Sequence, residues 1–372
     1  MAKKAYIGGA NGEARKLKNI YVRPDSGVVH RKVKKVYIGV NGVAEQCYQS
    51  DMTATSASVS ALNYTFNQSV TIVDVCYGGG YWFAVGYNSS RIYIAFATSL
   101  TGMWNSWYWN VDSAIPTAIA YADGYVWITV DEESNTKNYN LLRFAVNDIV
   151  SGGTTDIFIH DNYTYYDMAS DGTNTFAVGW AIARNCLAWQ YTSEATRSEH
   201  YITGVTKKYT KCCVYKAMPF MISTDGSVIG FSGMTGGRYD EMQLDSGLTT
   251  YCLAEMNGYL VIAGTKSDGT YVYYTSGSNY LPYENVWACQ KITSEVVTPK
   301  SLSYANGKCV LAYEKNGSIY LATATSPEGH WTFLSGAVSQ FSGYTFGEMA
   351  SGNGQICILA HSGATIRIGE VT

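Results

Sequence analysis

The sequence carries few residue patterns that could perform catalysis. Five histidines (His30, His160, His200, His330 and His361) lie without i, i+4 spacing and without neighbouring cysteine or carboxylate clusters, which argues against a metal site. No G-x-S-x-G elbow, phosphate-binding loop or dinucleotide fingerprint follows a strand-like run. We therefore predict no catalytic residue, no metal and no cofactor.

Aromatic residues are the more informative excess, with 32 tyrosines in the chain. Flat rings with one polar edge suit stacking on sugar faces and contact with other proteins. Trp104 and Trp331 recur at matching repeat positions, which favours packing between repeats, whereas the segment 277–283 does not repeat. The candidate ligand-binding residues are Tyr108, Trp109, Tyr280 and Tyr283.

Composition predicts a compact all-β protein that is not inserted in a membrane. Hydrophobic residues make up 47% of the chain and charged residues only 15%, and 37 glycines accompany the tyrosines. No apolar run approaches the roughly 18 to 20 residues of a membrane helix, and the N-terminus lacks the apolar core of a signal peptide. We expect the chain to be made and folded in a cytoplasm.

The first fifty residues form a basic repeat of their own. They hold ten Lys and Arg against three Asp and Glu, whereas the remaining residues hold sixteen against twenty-six. Strand-like runs around Tyr6, Tyr21 and Tyr37 recur at a period near 15, each followed by an X-Gly turn. Such units bury too little apolar surface to order alone, so we predict a docking module that adds strands to a partner or to copies of itself. The candidate docking residues are Tyr6, Arg15, Lys16, Tyr21, Lys34, Lys35 and Tyr37.

The run Arg31–Lys35 also resembles a nucleic-acid arm, but its alternation with Val fits a strand with one charged face better. We therefore expect no nucleic-acid partner.

A second repeat begins near residue 70 and has a period in the forties. Each unit is a short strand, a turn that ends in glycine, and a second, very apolar strand, with marker glycines at positions 80, 124, 172, 258, 307 and 354. The gap of 86 residues between the third and fourth glycines is close to twice the others, so a degenerate unit around Cys212–Gly226 is predicted there. Several strands per repeat without a helical pattern indicate the blades of a seven-bladed β-propeller.

The end of the chain provides a check on ring closure. The last unit stops at a third strand, 364–370, with no fourth strand after it. A strand candidate at 61–66 precedes the first unit, and we predict that it closes the propeller as the missing outer strand. The predicted organisation is a docking module at 1–50, a linker at 51–60 and the propeller at 61–372.

A glycan-degrading propeller is the alternative from another functional class. The turns T-S-x-x-G-x-W at 98–104 and 325–331 are similar to shortened aspartate-box turns of sialidases, but they lack the aspartate, and that turn is structural in sialidases. The arginines are unequally placed and do not form the cluster that holds a substrate carboxylate in sialidases. We therefore predict a protein that is not an enzyme, with glycoside hydrolase or sialidase-like activity as the alternative.

The leader pattern K-K-A-Y-I-G-x-x-N-G at 3–12, which returns in similar form at 34–42, resembles repeats of tail-associated proteins from phages of Gram-positive bacteria. The resemblance covers about the first fifty residues. It implies a virion structural protein, docked on other tail or baseplate proteins, whose propeller binds a host-surface glycan or protein. It also implies homo-oligomers, assembly in the host cytoplasm and location in the virion. A decoration protein without a ligand is the remaining alternative.

Overall fold

The computed structural model describes main chain and side chains of residues 58–111, 114–131, 140–153, 164–180, 207–234 and 239–372. Of the other residues, it describes only the main chain of the strands named below. The chain divides into two compact units, Met1–Ala54 and Thr55–Thr372.

The N-terminal unit contains three antiparallel strand pairs: β1 (Tyr6–Gly8) with β2 (Ala14–Lys16), β3 (Tyr21–Val22) with β4 (Arg31–Lys32), and β5 (Lys35–Val40) with β6 (Val43–Gln49). The side chains of all seven candidate docking residues lie outside the described residues, and so do the predicted linker positions 51–57. The docking interpretation stays a prediction.

The second unit is all-β and consists of four-stranded antiparallel sheets. Six sheets are each made from four consecutive strands. The first three are β8 (Thr71–Gly78), β9 (Tyr81–Asn88), β10 (Arg91–Ala97) and β11 (Asn105–Asn110); β12 (Ile115–Ala122), β13 (Tyr125–Asp131), β14 (Leu141–Ala145) and β15 (Asp156–Phe158); and β16 (Tyr163–Ser170), β17 (Thr175–Ala181), β18 (Arg184–Tyr191) and β19 (Arg197–Tyr201). The next three are β20 (Tyr209–Tyr215), β21 (Met218–Ser223), β22 (Ser227–Phe231) and β23 (Tyr239–Gln243); β24 (Thr249–Met256), β25 (Tyr259–Lys266), β26 (Gly269–Thr275) and β27 (Ala288–Thr293); and β28 (Thr298–Ala305), β29 (Lys308–Lys315), β30 (Ser318–Ala324) and β31 (Thr332–Phe333).

The seventh sheet is composite, because it combines β32 (Thr345–Gly352), β33 (Gln355–Ser362) and β34 (Thr365–Val371) with β7 (Val59–Thr65) from the opposite end of the unit. β7 pairs antiparallel with β34 from Val59 opposite Val371 to Thr65 opposite Thr365. The outer strand thus starts two residues before the predicted segment 61–66. The pairing covers the outer edge of β34, which would otherwise be unpaired.

The first strand of each sheet lies against the first strand of the next sheet, and β32 lies against β8, so the seven sheets form a closed ring. The prediction of an all-β propeller is confirmed.

The core is divided among the joints between neighbouring sheets. One hydrophobic cluster fills each joint, from the cluster between the seventh and first sheets round to the one between the sixth and seventh. Residues alternate between the two faces of a strand, so Trp82 and Ala84 of β9 pack towards the seventh sheet while Phe83 and Val85 pack towards the second. Each sheet is therefore buried on both faces, which explains the nearly continuous apolar runs of the second strands.

The turn between the first and second strands of a sheet requires positive φ angles. All six marker glycines have positive φ, from 71° at Gly354 to 92° at Gly172. In the fourth sheet the corresponding turn is Lys216–Ala217, with φ of 50° and 59° and no glycine. The missing glycine explains why the repeat was degenerate in the sequence.

Helical structure is limited in the described residues to α1 (Val146–Ser151) and the 3-10 turns Pro282–Glu284 and Ser339–Phe341. None of the helices in this part of the chain is long and apolar enough to cross a membrane.

Candidate functional site

A β-bulge interrupts the first strand of every sheet near its middle, between Ile72 and Asp74 in β8 and at the corresponding positions of the other six. The residues that follow these bulges, or lie within the longer break in β32, are Asp74, Ala118, Asp167, Lys211, Cys252, Ser301 and Glu348. Since the first strands line the axis of the propeller, these seven positions form a ring, which we call the channel ring. All its members except Ala118 line a cavity of about 160 Å³.

Two carboxylates of the channel ring join neighbouring sheets. Asp74 Oδ2 accepts the backbone N–H of Ile119 at 2.8 Å, and Asp167 Oδ2 accepts the backbone N–H of Cys212 at 2.8 Å. In both cases the aspartate bonds to the first strand of the next sheet, just past its bulge. Buried N–H groups freed by a bulge need acceptors, and these carboxylates provide them.

Lys211 carries the one cation of the channel ring. Its Nζ lies 3.8 Å from Asp167 Oδ1 in the third sheet and 3.7 Å from Glu348 Oε2 in the seventh. The lysine side chain is 34% exposed, while the two carboxylate side chains are only 12% and 17% exposed. Lys211 therefore reaches across the channel and balances carboxylates from two separate sheets.

Burial dominates the electrostatics of the channel ring. It raises the pKa of Asp74 well above its ordinary value, and the negative charges of Glu348 and Asp167 raise it further. Burial likewise raises the pKa of Glu348 and of Asp167, against the opposing effect of Lys211. The Asp167 carboxylate raises the pKa of Lys211. The ring thus holds a stable ammonium beside carboxyl groups that retain protons at unusually high pH.

Sequence reasoning missed the channel ring because its seven positions hold six different residue types. A usable signal existed, since Asp74, Asp167 and Glu348 are charged residues inside strands that align with one another in the repeat. A charge at the same place in several buried strands indicates a shared axial position.

A second cavity, of about 260 Å³, adjoins the ring, because Val75, Ile119 and Met168 line both cavities. Its walls include Tyr77 and Tyr121. Each tyrosine packs on a glycine of the preceding sheet. A Cβ on Gly352 would lie 2.2 Å from Tyr77 Cβ, and one on Gly78 would lie 2.1 Å from Tyr121 Cγ.

The candidate residues Tyr280 and Tyr283 lie in residues 276–287, the connection between β26 and β27, which we call the tyrosine loop. Tyr283 is 54% exposed and lies in the 3-10 turn, whereas Tyr280 is half-buried. The loop crosses to the fourth sheet, where a Cβ on Gly230 would lie 2.0 Å from the carbonyl oxygen of Tyr280. The structure therefore brings both tyrosines to the joint between the fourth and fifth sheets.

Buried Asn285 holds the tyrosine loop in shape. Its Nδ2 donates to the carbonyl oxygen of Asn279 at 2.7 Å, and its Oδ1 accepts the backbone N–H of Asn279 at 3.2 Å. Trp287 Nε1 donates to the carbonyl oxygen of Pro282 at 2.8 Å, and Lys216 Nζ donates to that of Ser276 at 2.8 Å. These bonds fix the loop without a ligand, so Tyr283 is presented in a defined position.

The other candidate pair, Tyr108 and Trp109, is separated by the alternation of β11. Tyr108 is 46% exposed and lies under the Arg91 guanidinium, whose Cζ is 4.1 Å from the ring centroid. Trp109 packs instead against the hydrophobic cluster between the first and second sheets. The two residues cannot present one flat surface, because neighbouring residues of a strand point to opposite faces.

Trp104 and Trp331 are 4% and 2% exposed, in agreement with a packing role. Their indole nitrogens donate to the carbonyl oxygens of Leu100 and Pro327 at 3.4 and 3.3 Å. The T-S-x-x-G-x-W turns therefore secure the outer strands of the first and sixth sheets.

The described part of the chain holds no group of three or more His, Cys, Asp or Glu residues arranged to bind a metal ion. The described cysteines are free thiols, and Cys289 is the exposed one among them.

The ring of sheets defines a β-propeller, and comparison with solved structures supports that class. The chain is similar to virginiamycin B lyase from Staphylococcus aureus, seen as a catalytically inactive variant with quinupristin (TM-score 0.62, 11% identity, 85% of this chain and 100% of that chain). It is also similar to the β-propeller domain of Cps50 (Swd1) from Myceliophteria thermophila (TM-score 0.56, 10% identity, 84% of this chain and 100% of that chain). A third similar structure is YCF48 bound to D1 peptide (TM-score 0.61, 10% identity, 84% of this chain and 95% of that chain).

No protein-family model matches the chain, and no curated protein matches its sequence significantly. At these identities the similarity establishes the fold alone.

Proposed function

We propose that the protein is a structural component of a phage virion whose propeller recognises the host surface. In this proposal, residues 1–50 dock on tail or baseplate proteins and the protein functions as a homo-oligomer in the virion. The resemblance of the leader repeats supports the virion location. The observation that carries the recognition role is Tyr283, which is 54% exposed on a loop that buried Asn285 holds in place.

A rigid exposed aromatic is suited to recognition. A protein normally covers large rings, and a solvent-facing ring on a preformed loop binds a partner at low cost in conformational entropy. The tyrosine loop replaces the short turn that the first and sixth sheets have at this connection, 98–104 and 325–331. Trp287 at the end of the loop packs on the propeller, whereas Tyr283 faces solvent, so we assign Tyr283 a surface role.

Multiple copies would strengthen this recognition. Weak contacts that repeat along a cell-wall polymer gain from avidity when several propellers are held on one particle. Tail-associated docking of the leader would supply that arrangement.

Glycan degradation is the second candidate function, and the channel ring is the observation that favours it. Glycosidases use a carboxyl group with a raised pKa as the general acid, next to a second carboxylate. Against that role, both oxygens of Asp74 already accept backbone N–H groups, from Val75 and Ile119. We therefore assign the carboxylates to joining the sheets.

Incubation of the full-length protein with isolated Gram-positive cell walls tests the proposal. We expect saturable binding and no release of soluble saccharide. Release of reducing ends, lost in Glu348→Gln, would establish the enzyme instead. If the protein neither binds the cell walls nor releases saccharide, a decoration protein without a ligand is the remaining candidate.

Deletion of residues 1–50 tests docking separately. We expect the shortened protein to be absent from purified particles but to bind cell walls still. Normal incorporation into particles would contradict the docking role of the leader.

A further inference from the structure

The tyrosine loop and the outer strand of the fourth sheet form one surface. The 3-10 turn Pro282–Glu284 lies against β23, the strand that carries Asp240, and the negative charge of Asp240 acts on the Tyr283 phenol. Gly230, which is paired with Asp240, leaves room for the loop backbone to approach. The surface therefore combines an exposed aromatic ring with a carboxylate from the neighbouring sheet close to it.

The electrostatic character of this surface is acidic around Tyr283. Partial burial and the negative charges of Asp240 and Glu284 raise the pKa of the Tyr283 phenol. Glu284 is exposed, and its carboxylate also accepts the Asn279 side-chain amide. A phosphate or carboxylate of a ligand placed on this ring would meet like charge.

The ligand chemistry follows from these two features. A sugar ring has an apolar C–H face that stacks on an aromatic ring, and hydroxyl groups at its edge that donate to carboxylates. A neutral sugar can stack on the Tyr283 ring and donate hydroxyl hydrogen bonds to the carboxylates. An amino-bearing sugar adds a favourable interaction between its positive charge and these carboxylates. A polyanionic polymer satisfies neither.

We propose that the surface formed by Tyr283, Asp240 and Glu284 binds neutral or amino-bearing glycans and excludes polyanionic cell-wall polymers. This inference rests on the proposed recognition function and names the ligand class of its surface. Asn285 acts as a positioning residue, because it fixes the loop without reaching the ligand.

Binding to immobilised saccharides tests the inference with the full-length protein. The probes are oligomers of glucose, galactose, rhamnose, N-acetylglucosamine and glucosamine, with poly(glycerol phosphate) as the polyanionic arm. We expect binding to at least one saccharide and none to poly(glycerol phosphate). Tyr283→Ala should weaken saccharide binding by about tenfold, while Tyr283→Phe, which keeps the ring, should retain most of it.

Tyr239→Ala is the matched control. Tyr239 is also exposed, at 37%, and precedes Asp240 in β23, but it packs towards Phe231 on the opposite face. Its removal should leave saccharide binding unchanged. Asn285→Ala should weaken binding and increase hydrogen exchange of the loop amides, and binding should return partly in Asn285→Asp, which keeps the acceptor oxygen.

The outcomes separate the ligand class from the function. If the wild-type protein binds cell walls no more tightly than Tyr283→Ala does, or binds walls stripped of glycan, the glycan surface is wrong although the recognition function stands. Binding to poly(glycerol phosphate) alone, or to none of the probes, also overturns the inferred class. Failure of the wild-type protein to bind any cell wall removes the recognition function itself.

Discussion

Lys211 Nζ lies 3.7 Å from Glu348 Oε2, although the two residues belong to the fourth and seventh sheets on opposite sides of the ring. The ammonium also lies 3.8 Å from Asp167 Oδ1 in the third sheet. One side chain thus links the fourth sheet both to its neighbour, the third, and to the seventh sheet across the axis. The channel ring therefore joins sheets across the axis, where the hydrophobic clusters between neighbouring sheets do not reach.

Lys211→Met should destabilise the propeller, since it leaves two largely buried carboxylates without their cation. Water reaches part of the lysine, so we expect the free energy of unfolding to fall by about 1–3 kcal/mol near neutral pH. Chemical denaturation measures the change.

Lys300→Met is the control for this substitution. Lys300 also lines the cavity, but its Nζ pairs at 2.8 Å with Glu314, which is 38% exposed. An exposed ion pair contributes about 0–1 kcal/mol to stability, so the free energy of unfolding should fall less in Lys300→Met than in Lys211→Met. Equal losses in the two variants would show that Lys211 has no special role.

Asp74→Asn should change how stability depends on pH. The folded chain holds the Asp74 proton more tightly than the unfolded chain, because its pKa is raised from the ordinary value of 3.8. Stability contributed by that proton is therefore lost as pH rises from that value through the folded pKa. Asparagine cannot ionise, so the stability of the variant relative to the wild-type protein should increase as pH rises.

Denaturation between about pH 4 and pH 8 measures this effect. Asp74→Ala, which also loses the acceptor for the Ile119 N–H, should be less stable than Asp74→Asn by about 1 kcal/mol at every pH. A difference between wild type and Asp74→Asn that stays constant over the range would contradict the raised pKa.

Ala217→Gly should stabilise the protein. Ala217 has a φ of 59°, a conformation that costs an L-residue about 1 kcal/mol relative to glycine. Gly258 occupies the same turn position in the next sheet, with a φ of 79° and open space where a Cβ would point. Gly258→Ala should therefore lower the free energy of unfolding by about as much as Ala217→Gly raises it, roughly 1 kcal/mol. Thermal unfolding measures both changes. A loss of stability in Ala217→Gly would indicate that the Ala217 methyl group packs favourably.

Local signals in the sequence accounted for the propeller but not for its channel. Glycine at Gly124 or Gly307 marks a turn that only positive φ can make, so the repeat was readable from single residues. The fourth unit was harder to read because Lys216–Ala217 makes the same turn without glycine. The channel ring depends on bulges, which leave no consistent residue type, and on side chains that meet only when the ring closes.

The sequence also identified only part of the candidate binding surface. Tyr280 and Tyr283 were recognisable as a departure from the repeat, and the structure brings them to one loop. The contribution of Asp240 was not visible, because it comes from the neighbouring sheet. Tyr108 and Trp109 were grouped by proximity in sequence, although strand alternation alone predicts that they face apart.

β7 completes the seventh sheet, whose first strand, β32, carries Glu348 of the channel ring and lies against β8 of the first sheet. The pairing with β34 is supported by Arg367 Nε, which donates to Asn63 Oδ1 at 3.0 Å, and by Phe66, which is only 4% exposed.

Thermal unfolding of two shortened chains tests this closure most directly. A chain that begins at Thr55 keeps β7 and should unfold cooperatively within a few degrees of the full-length protein. A chain that begins at Asn67 loses β7 and Phe66, so its Tm should fall by more than about 10 °C, or it should fail to fold. Equal Tm values for the two chains would show that the propeller does not need β7, and would contradict its role in completing the seventh sheet.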